Sequence, residues 1–196
     1  MIHKVILTPR NTRNTMSKRI RSITTLTVFI IAAFVLTACG SSDQSKSSYA
    51  QIEPSEQSFT ISDFESVGFK VVKVYDVEGL TGASKAVHGF QKISGGTRLS
   101  YELRFYNSHD DAVNLGTSFA VEITGEDAIM VTDDMTWSGG NKQQREQLVE
   151  GGGYQAFYWG YKIFGNIVML CEGDWVEQSQ EACDQLKESI SPTTTS

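Results

Sequence analysis

The stretch "TRLSYELRFYNSHDDAVNLGTSFAVEITG", residues 97–125, decides the fold class because it contains two different periods. In its first ten residues apolar and polar side chains alternate, which is the pattern of a strand with one buried and one solvated face. The buried face would carry Leu99, Tyr101, Leu103 and Phe105, and the solvated face Arg98, Ser100, Glu102 and Arg104. A solvated face favours an antiparallel sheet. From residue 112 the apolar residues recur at helical spacing, so a strand followed directly by a helix is predicted.

The predicted helix is bounded by residues that favour helix ends. Ser108 and Asp111 resemble a capping pair at its start, and Gly125 indicates its end. Gly116 lies inside the helix, where glycine costs about 1 kcal/mol relative to alanine. We therefore expect Gly116 to allow a close approach of the helix to the sheet.

Patterns on both sides of this stretch predict a single α+β domain over residues 58–190. We expect a short helix over 62–68, strands over 69–77 and 85–93, a strand hairpin around 164–166 and a final helix that ends near Ser189. The inner side of the final helix would carry Ala182, Leu186 and Ile190. Together these elements predict a two-layer sandwich, in which an antiparallel or mixed sheet has helices packed on one face.

The first 38 residues have the composition of an export signal. They contain six basic and no acidic residues, and "LTVFIIAAFVL", residues 26–36, is the most apolar run of the chain. A helix of this length rises about 16 Å, too little for a hydrocarbon core of about 30 Å, so a secretory signal is the better interpretation. The residues that follow, Leu36-Thr37-Ala38-Cys39, resemble the lipobox of bacterial lipoproteins.

Resemblance to the bacterial lipoproteins implies a membrane anchor on the extracytoplasmic side. In that family the signal is removed before the cysteine, the thiol (here that of Cys39) is lipidated, and the new amino terminus is acylated. The alternative is an ordinary signal peptide or membrane anchor with a chance cysteine. Translation could also start at Met16, which leaves the mature product unchanged. Gly40, in place of Asp, resembles the outer-membrane class if the cell has two membranes; the cell surface is the other location.

Beyond the signal, 1–38, the sequence divides into a tether, the domain and a tail. Residues 39–57 comprise the lipidated cysteine and a flexible Ser- and Gln-rich tether, and residues 191–196 are expected to be disordered. After residue 38 the chain keeps 11 basic and all 23 acidic residues, a net charge of −12. This charge disfavours nucleic acid and anionic lipid headgroups as partners, so membrane attachment would depend on the acyl chains.

Two cysteines remain in the domain, Cys171 and Cys183. Export favours a disulfide between them, and the alternative is two buried free thiols. A helix that began at Asp174 would carry Cys183 too far from Cys171, because a disulfide needs Cα atoms within about 7 Å. The bond therefore predicts a helix start near Gln178 or Ser179, with residues 172–177 as a loop.

Candidate catalytic groups are few. His109, with Asp110 and Asp111, could hold a metal, but acidic residues at a helix start are also favoured by the helix dipole alone. His88 lies in a predicted strand. The sequence contains no nucleophile elbow, zinc-protease or phosphate-loop motif, and we expect no cofactor and no metal.

Aromatic residues concentrate in the window 128–161, which makes it a candidate binding surface. We expect Trp137, Tyr154 and Tyr158 to carry it, since exposed aromatic side chains dock partners or sugars. The alternative is that Phe157, Trp159 and Tyr161 form the inner face of a strand. A short helix is expected over 142–150.

These patterns predict a lipid-anchored envelope protein whose domain is a non-catalytic binding module for a protein or glycan partner. The alternative is an envelope hydrolase or metal-dependent enzyme that uses His109 and nearby acidic residues.

Overall fold

The computed structural model describes residues 51–93, 95–139 and 146–191. Its helices are α1 (Ile61–Ser66), α2 (His109–Val121) and α3 (Val176–Ile190), with one turn of 3-10 helix at Thr132–Asp134. Its strands are β1 (Ile52–Glu53), β2 (Lys70–Tyr75), β3 (Lys85–Lys92), β4 (Arg98–Phe105), β5 (Glu146–Val149), β6 (Gly153–Ala156), β7 (Tyr158–Phe164) and β8 (Ile167–Glu172). Among these residues no helix is long and apolar enough to cross a membrane.

Six of the strands form one mixed sheet in the order β1-β7-β8-β4-β3-β2. The two-residue strand β1 runs parallel to β7, and every other neighbouring pair is antiparallel. Strands β5 and β6 form a separate hairpin. The predicted α+β class, the mixed sheet and the hairpin between β7 and β8 are confirmed.

Helices cover both faces of the sheet, whereas the sequence predicted one covered face. Tyr101 and Leu103 lie in a core with residues of α1 and α3, such as Phe64 and Leu186. Side chains of β8 alternate between the two faces of the sheet. Val168 and Leu170 point to the face opposite this core and pack in a second core with α2. The apolar side of α2 is therefore buried against the sheet face opposite α1 and α3.

The second covered face changes the environment of the polar side of β4. Glu102 and Arg104, predicted to face solvent, are both completely buried. Arg104 donates from Nε to Glu102 Oε1 at 2.8 Å, and its Nη2 lies at the same distance from that oxygen. The pair satisfies the rule that buried charges are paired.

The predicted details of α2 are confirmed at its start and its centre. Ser108 caps the helix by accepting a hydrogen bond from the Asp111 amide at 3.0 Å. Gly116 faces the sheet so closely that an added Cβ would lie 2.7 Å from Val168 Cγ2 and 2.9 Å from the Tyr106 ring. Gly125 has a positive φ of 80° and lies four residues beyond the last helical residue, Val121.

The disulfide between Cys171 and Cys183 is present, with Cα atoms 5.6 Å apart. The helix that carries Cys183 nevertheless begins at Val176, two residues before the predicted start, with Trp175 as its N-cap. Gly173 explains why the helix can begin earlier than predicted and still allow the bond. A Cβ at this position would lie 2.9 Å from the Ser179 Cα. With no side chain between them, the first turn of α3 lies close enough to β8 for the bond.

Three further sequence predictions differ from the structure. Residues 52–53 of the predicted tether form β1, and the Ser191 hydroxyl, in the predicted tail, donates to Gln57 Oε1 at 3.1 Å. Residues 146–149 of the predicted short helix form β5, and residues 142–145 lie outside the described residues. The signal, Cys39, the tether up to residue 50 and residues 192–196 lie outside the described residues.

Candidate binding edge of the sheet

Strand β2 forms one end of the sheet, and among the described residues no strand pairs with its outer side. Edge strands carry backbone N–H and C=O groups that point away from the sheet and can pair with another chain. Two apolar side chains of β2 are exposed, Val72 at 57% and Val74 at 62%. An unpaired edge with exposed valines is a preformed template for strand addition.

The inner side of β2 is fixed by close contacts to the domain. Phe69, just before the strand, is fully buried. Gly89 of β3 makes room for it, because a Cβ at that position would collide with the Phe69 ring and the Lys70 carbonyl. The register shifts between Val71 and Lys73, which marks a bulge or irregularity in the pairing with β3.

A chain of ring and cation contacts connects β2 with the interior. Arg104 Cζ lies 4.9 Å from the centroid of the Trp137 ring, and Trp137 meets Tyr75 edge to face at 5.8 Å. On the outer side, Lys73 Nζ lies 5.3 Å from the centroid of the Tyr75 ring. Cation–π and edge-to-face contacts are favourable at these distances. The edge strand is therefore supported by the buried ion pair of β4.

Accessible positive charge is concentrated at this end of the sheet. Among the described residues, the exposed cations are Lys70, Lys85, Lys92 and Arg98, and Lys73 is half-buried. All five lie on β2, β3 or β4. Of the other described cations, Arg104 and Lys162 are buried and Lys187 is 20% exposed. Of these cations, Lys70 and Lys73 lie on the edge strand itself, in a domain with net negative charge.

His88 and Tyr158 lie in the buried layer beneath α2. The register places His88 directly opposite Glu102, and His88 Nδ1 lies 3.0 Å from the Tyr158 hydroxyl. His88 is 8% exposed and Tyr158 is fully buried. These groups hold one another in place inside the domain.

The three aromatic residues of the predicted binding surface do not form one surface. Trp137 is 5% exposed and Tyr158 is buried, whereas Tyr154 is 65% exposed on the β5–β6 hairpin. Tyr158 and Tyr161 instead belong to the core under α2, with Phe157 packed against it. The aromatic side chains are buried because α2 covers that sheet face.

His109 lies at the first position of α2, where it is partly buried. Its Nδ1 is 2.8 Å from the Gly165 carbonyl oxygen, which connects the helix start to the β7–β8 turn. Within the described ranges, no group of three or more His, Cys, Asp or Glu side chains is arranged to hold a metal ion.

The sequence showed β2 as a strand but did not identify it as an edge. The signal is the pair of lysines in "KVVKVY", residues 70–75, because charged residues, lysine above all, protect natural edge strands from unwanted pairing. Valine-rich strands without charge are typical of central positions, so the lysines were the informative residues.

Residues 60–192 match a family of unknown function, DUF6810. The chain belongs to DUF6810. The match spans all three helices and the strands from β2 to β8, so the candidate edge lies within the DUF6810 region and β1 lies before it. Comparisons with curated proteins and with solved structures found no match.

Proposed function

We propose that the protein is anchored by lipid at Cys39 on the extracytoplasmic side of a bacterial membrane and that its domain is a non-catalytic binding module. The module binds an extended, acidic segment of a partner polypeptide as an additional strand along β2. The observation that carries this proposal is the exposed edge of β2, which no described strand pairs and which carries Val72 and Val74 on either side of Lys73. A protein partner fits this edge better than a glycan, because the edge offers a row of backbone groups.

The chemistry of the edge selects the partner. Main-chain hydrogen bonds supply affinity in strand addition, and alternate side chains supply specificity. Opposite charges directly across two strands contribute about 0.2–1 kcal/mol each, and like charges are destabilising. Lys70 and Lys73 therefore favour a strand that carries carboxylates between apolar residues.

The same lysines disfavour pairing between two copies of this chain. Edge-to-edge association of two β2 strands would bring four lysine side chains together at one seam. The edge thus excludes self-association while it remains open to an acidic partner.

The lipid anchor is supported by the sequence Leu36-Thr37-Ala38-Cys39 after an apolar run of export-signal length. In cells labelled with a fatty acid, we expect label on the wild-type protein and none on Cys39→Ser, which should accumulate as the uncleaved precursor. Equal labelling of the two proteins would show that the anchor is not at Cys39.

The binding edge is tested with a labelled peptide of about seven residues that alternates glutamate and valine, a length that matches an average strand. Its fluorescence anisotropy should rise with wild-type protein and fall again at high salt. In Lys70→Glu/Lys73→Glu we expect a loss of affinity on the order of tenfold, because two favourable charge pairs become unfavourable.

A matched variant separates the edge from general charge. Lys85→Glu/Lys92→Glu makes the same change in net charge at exposed positions on β3, inside the sheet. We expect it to bind the glutamate–valine peptide nearly as well as wild type. Equal losses in the two double variants, or equal binding of a lysine–valine peptide, would contradict the proposal.

A further inference from the structure

A groove of 590 Å³ lies at the other end of the sheet, beside β1. Gln51, Val121, Trp159 and Val176 are among the residues that line it. They come from four separate parts of the chain: the residue before β1, the end of α2, strand β7 and the start of α3. The groove is therefore formed at the point where the chain enters the domain.

One lining residue of this groove, and the sequence neighbours of two others, are exposed apolar residues. Val121, in its wall, is 54% exposed. Ile52 directly follows Gln51 and is 40% exposed, and Trp175 directly precedes Val176 and is 53% exposed. We call Ile52, Val121 and Trp175 the apolar rim. An exposed tryptophan and exposed aliphatic side chains are costly in water, and a tryptophan ring is favourable at a membrane interface.

The segment before the groove connects it directly with the proposed anchor. Cys39 is 12 residues before Gln51, and such a segment spans at most about 43 Å when fully extended. The β2 edge is five strand positions away from β1, roughly 24 Å farther. The chain from Cys39 thus enters the domain beside the groove, and the β2 edge is the far side of the sheet from this entry point.

We propose that the apolar rim docks on the lipid bilayer, with Trp175 in the interfacial layer. This inference rests on the proposed lipid anchor at Cys39. Tethering makes docking intramolecular, at an effective concentration in the millimolar range for a short linker. A surface with weak intrinsic affinity is then sufficient, and three side chains provide such a surface.

The charges around the rim define the kind of lipid. Asp127 lies in the groove wall, and Asp174 and Glu177 flank Trp175 in the sequence. These carboxylates repel anionic headgroups. We therefore expect docking on zwitterionic phosphatidylcholine and weaker docking when anionic phosphatidylglycerol is mixed in.

The experiment uses the full-length lipidated protein in phosphatidylcholine vesicles, with and without brominated acyl chains that quench tryptophan at short range. Emission of the wild-type protein should fall in the brominated vesicles. Because Trp159 also lines the groove, the comparison is made in a Trp159→Phe background. In that background most of the quenching should be lost in Trp175→Phe, because Trp137 is buried in the β2 half of the domain.

A rim variant tests the contact without removal of the fluorophore. Ile52→Ser/Val121→Ser should reduce the bromine-dependent quenching, whereas Val72→Ser/Val74→Ser, which makes the same kind of change at the far edge, should leave it unchanged. Quenching that rises with the phosphatidylglycerol content would also overturn the proposed contact.

Co-flotation with the vesicles separates this inference from the proposed function. Protein that floats with the vesicles without bromine-dependent quenching refutes docking of the rim and leaves the anchor intact. Protein that does not float refutes the anchor, and the docking with it. A change in emission that depends on protein concentration and not on bromine would assign the rim to a second copy of the chain and would refute the bilayer contact.

Discussion

Single residues decide how the covered face under α2 is stabilised. Arg104 and Glu102 are two residues apart on β4, so their side chains stand next to each other on one face. Both are removed from water, and the Trp137 ring lies on the guanidinium. Each charge is therefore tolerated because of its neighbours.

Loss of one member of this pair should be strongly destabilising. We expect Arg104→Met to lower the free energy of unfolding by about 3–5 kcal/mol, because the Glu102 carboxylate stays buried without its arginine. Urea unfolding followed by circular dichroism measures the change. The effect should extend to β2, because Trp137 loses the cation on which it packs.

The double variant Glu102→Leu/Arg104→Met is the control for this prediction. Since it removes both charges and keeps apolar volume, it should recover part of the lost stability. A single variant within about 1 kcal/mol of wild type would show that the pair is not the main support of this face.

Alternation along β4 predicted which side chains share a face but not whether that face is covered. Polarity alone places Glu102 and Arg104 in water. Their opposite charges at adjacent positions of one face were the available sign that they could be buried as a pair. The same limit applies to Trp137 and Tyr158, whose aromatic character fits an exposed surface and a core equally well.

Among the elements, β1 has the least backbone pairing and the most ionic support. Glu53 interacts with Lys162 of β7, which is buried, and accepts a hydrogen bond from Lys187 of α3 at 2.8 Å. Asp184 Oδ1 also lies 2.7 Å from Lys162 Nζ. The two-residue strand β1 is thus joined to a neighbouring strand and to a helix by a cluster of four charged side chains.

The stabilisation that Glu53 gives to β1 should decrease as the pH falls. Burial alone would raise the pKa of Glu53, but the hydrogen bonds and charges of Lys162 and Lys187 outweigh it and hold the pKa below its usual 4.5. A lowered carboxyl pKa stabilises the fold above pH 4.5, and this stabilisation is lost as the pH falls through the pKa of the folded state.

Glu53→Gln should therefore be less stable than wild type at neutral pH, and the difference should shrink on acidification below pH 4.5. Urea unfolding at several pH values measures this. Glu65→Gln, which removes the same charge from an exposed position on α1, serves as the matched control. A difference for Glu53→Gln that stays constant with pH would contradict the role given to these charges.

The sequence predicted the long elements well, because each has enough residues to show its period. Strand β1 has two residues and no period, so it was assigned to the tether. The start of α3 was misplaced because the close approach at Gly173 depends on the position of two elements in space.

For the whole molecule, local sequence patterns predicted the α+β class, the mixed sheet and the disulfide. Strand order was beyond their reach, since it depends on which apolar faces meet across the fold. The candidate edge could not be located for that reason, although the lysines of β2 were visible in the sequence. The second helical layer was missed because the apolar stripe of α2 fits either face.

Strand order also determines how the domain would carry a mechanical load. If the proposed partner pulls on β2 against the proposed anchor before β1, the force would act across the strands, and the interstrand hydrogen bonds would break one after another. The strand pair nearest the anchor along the chain is the two-residue pairing of β1 with β7. Beyond it, the Cys171–Cys183 bond keeps α3 fastened to the sheet. The ion pairs of Glu53 with Lys162 and Lys187 would therefore resist the separation of β1 from the sheet under such a force.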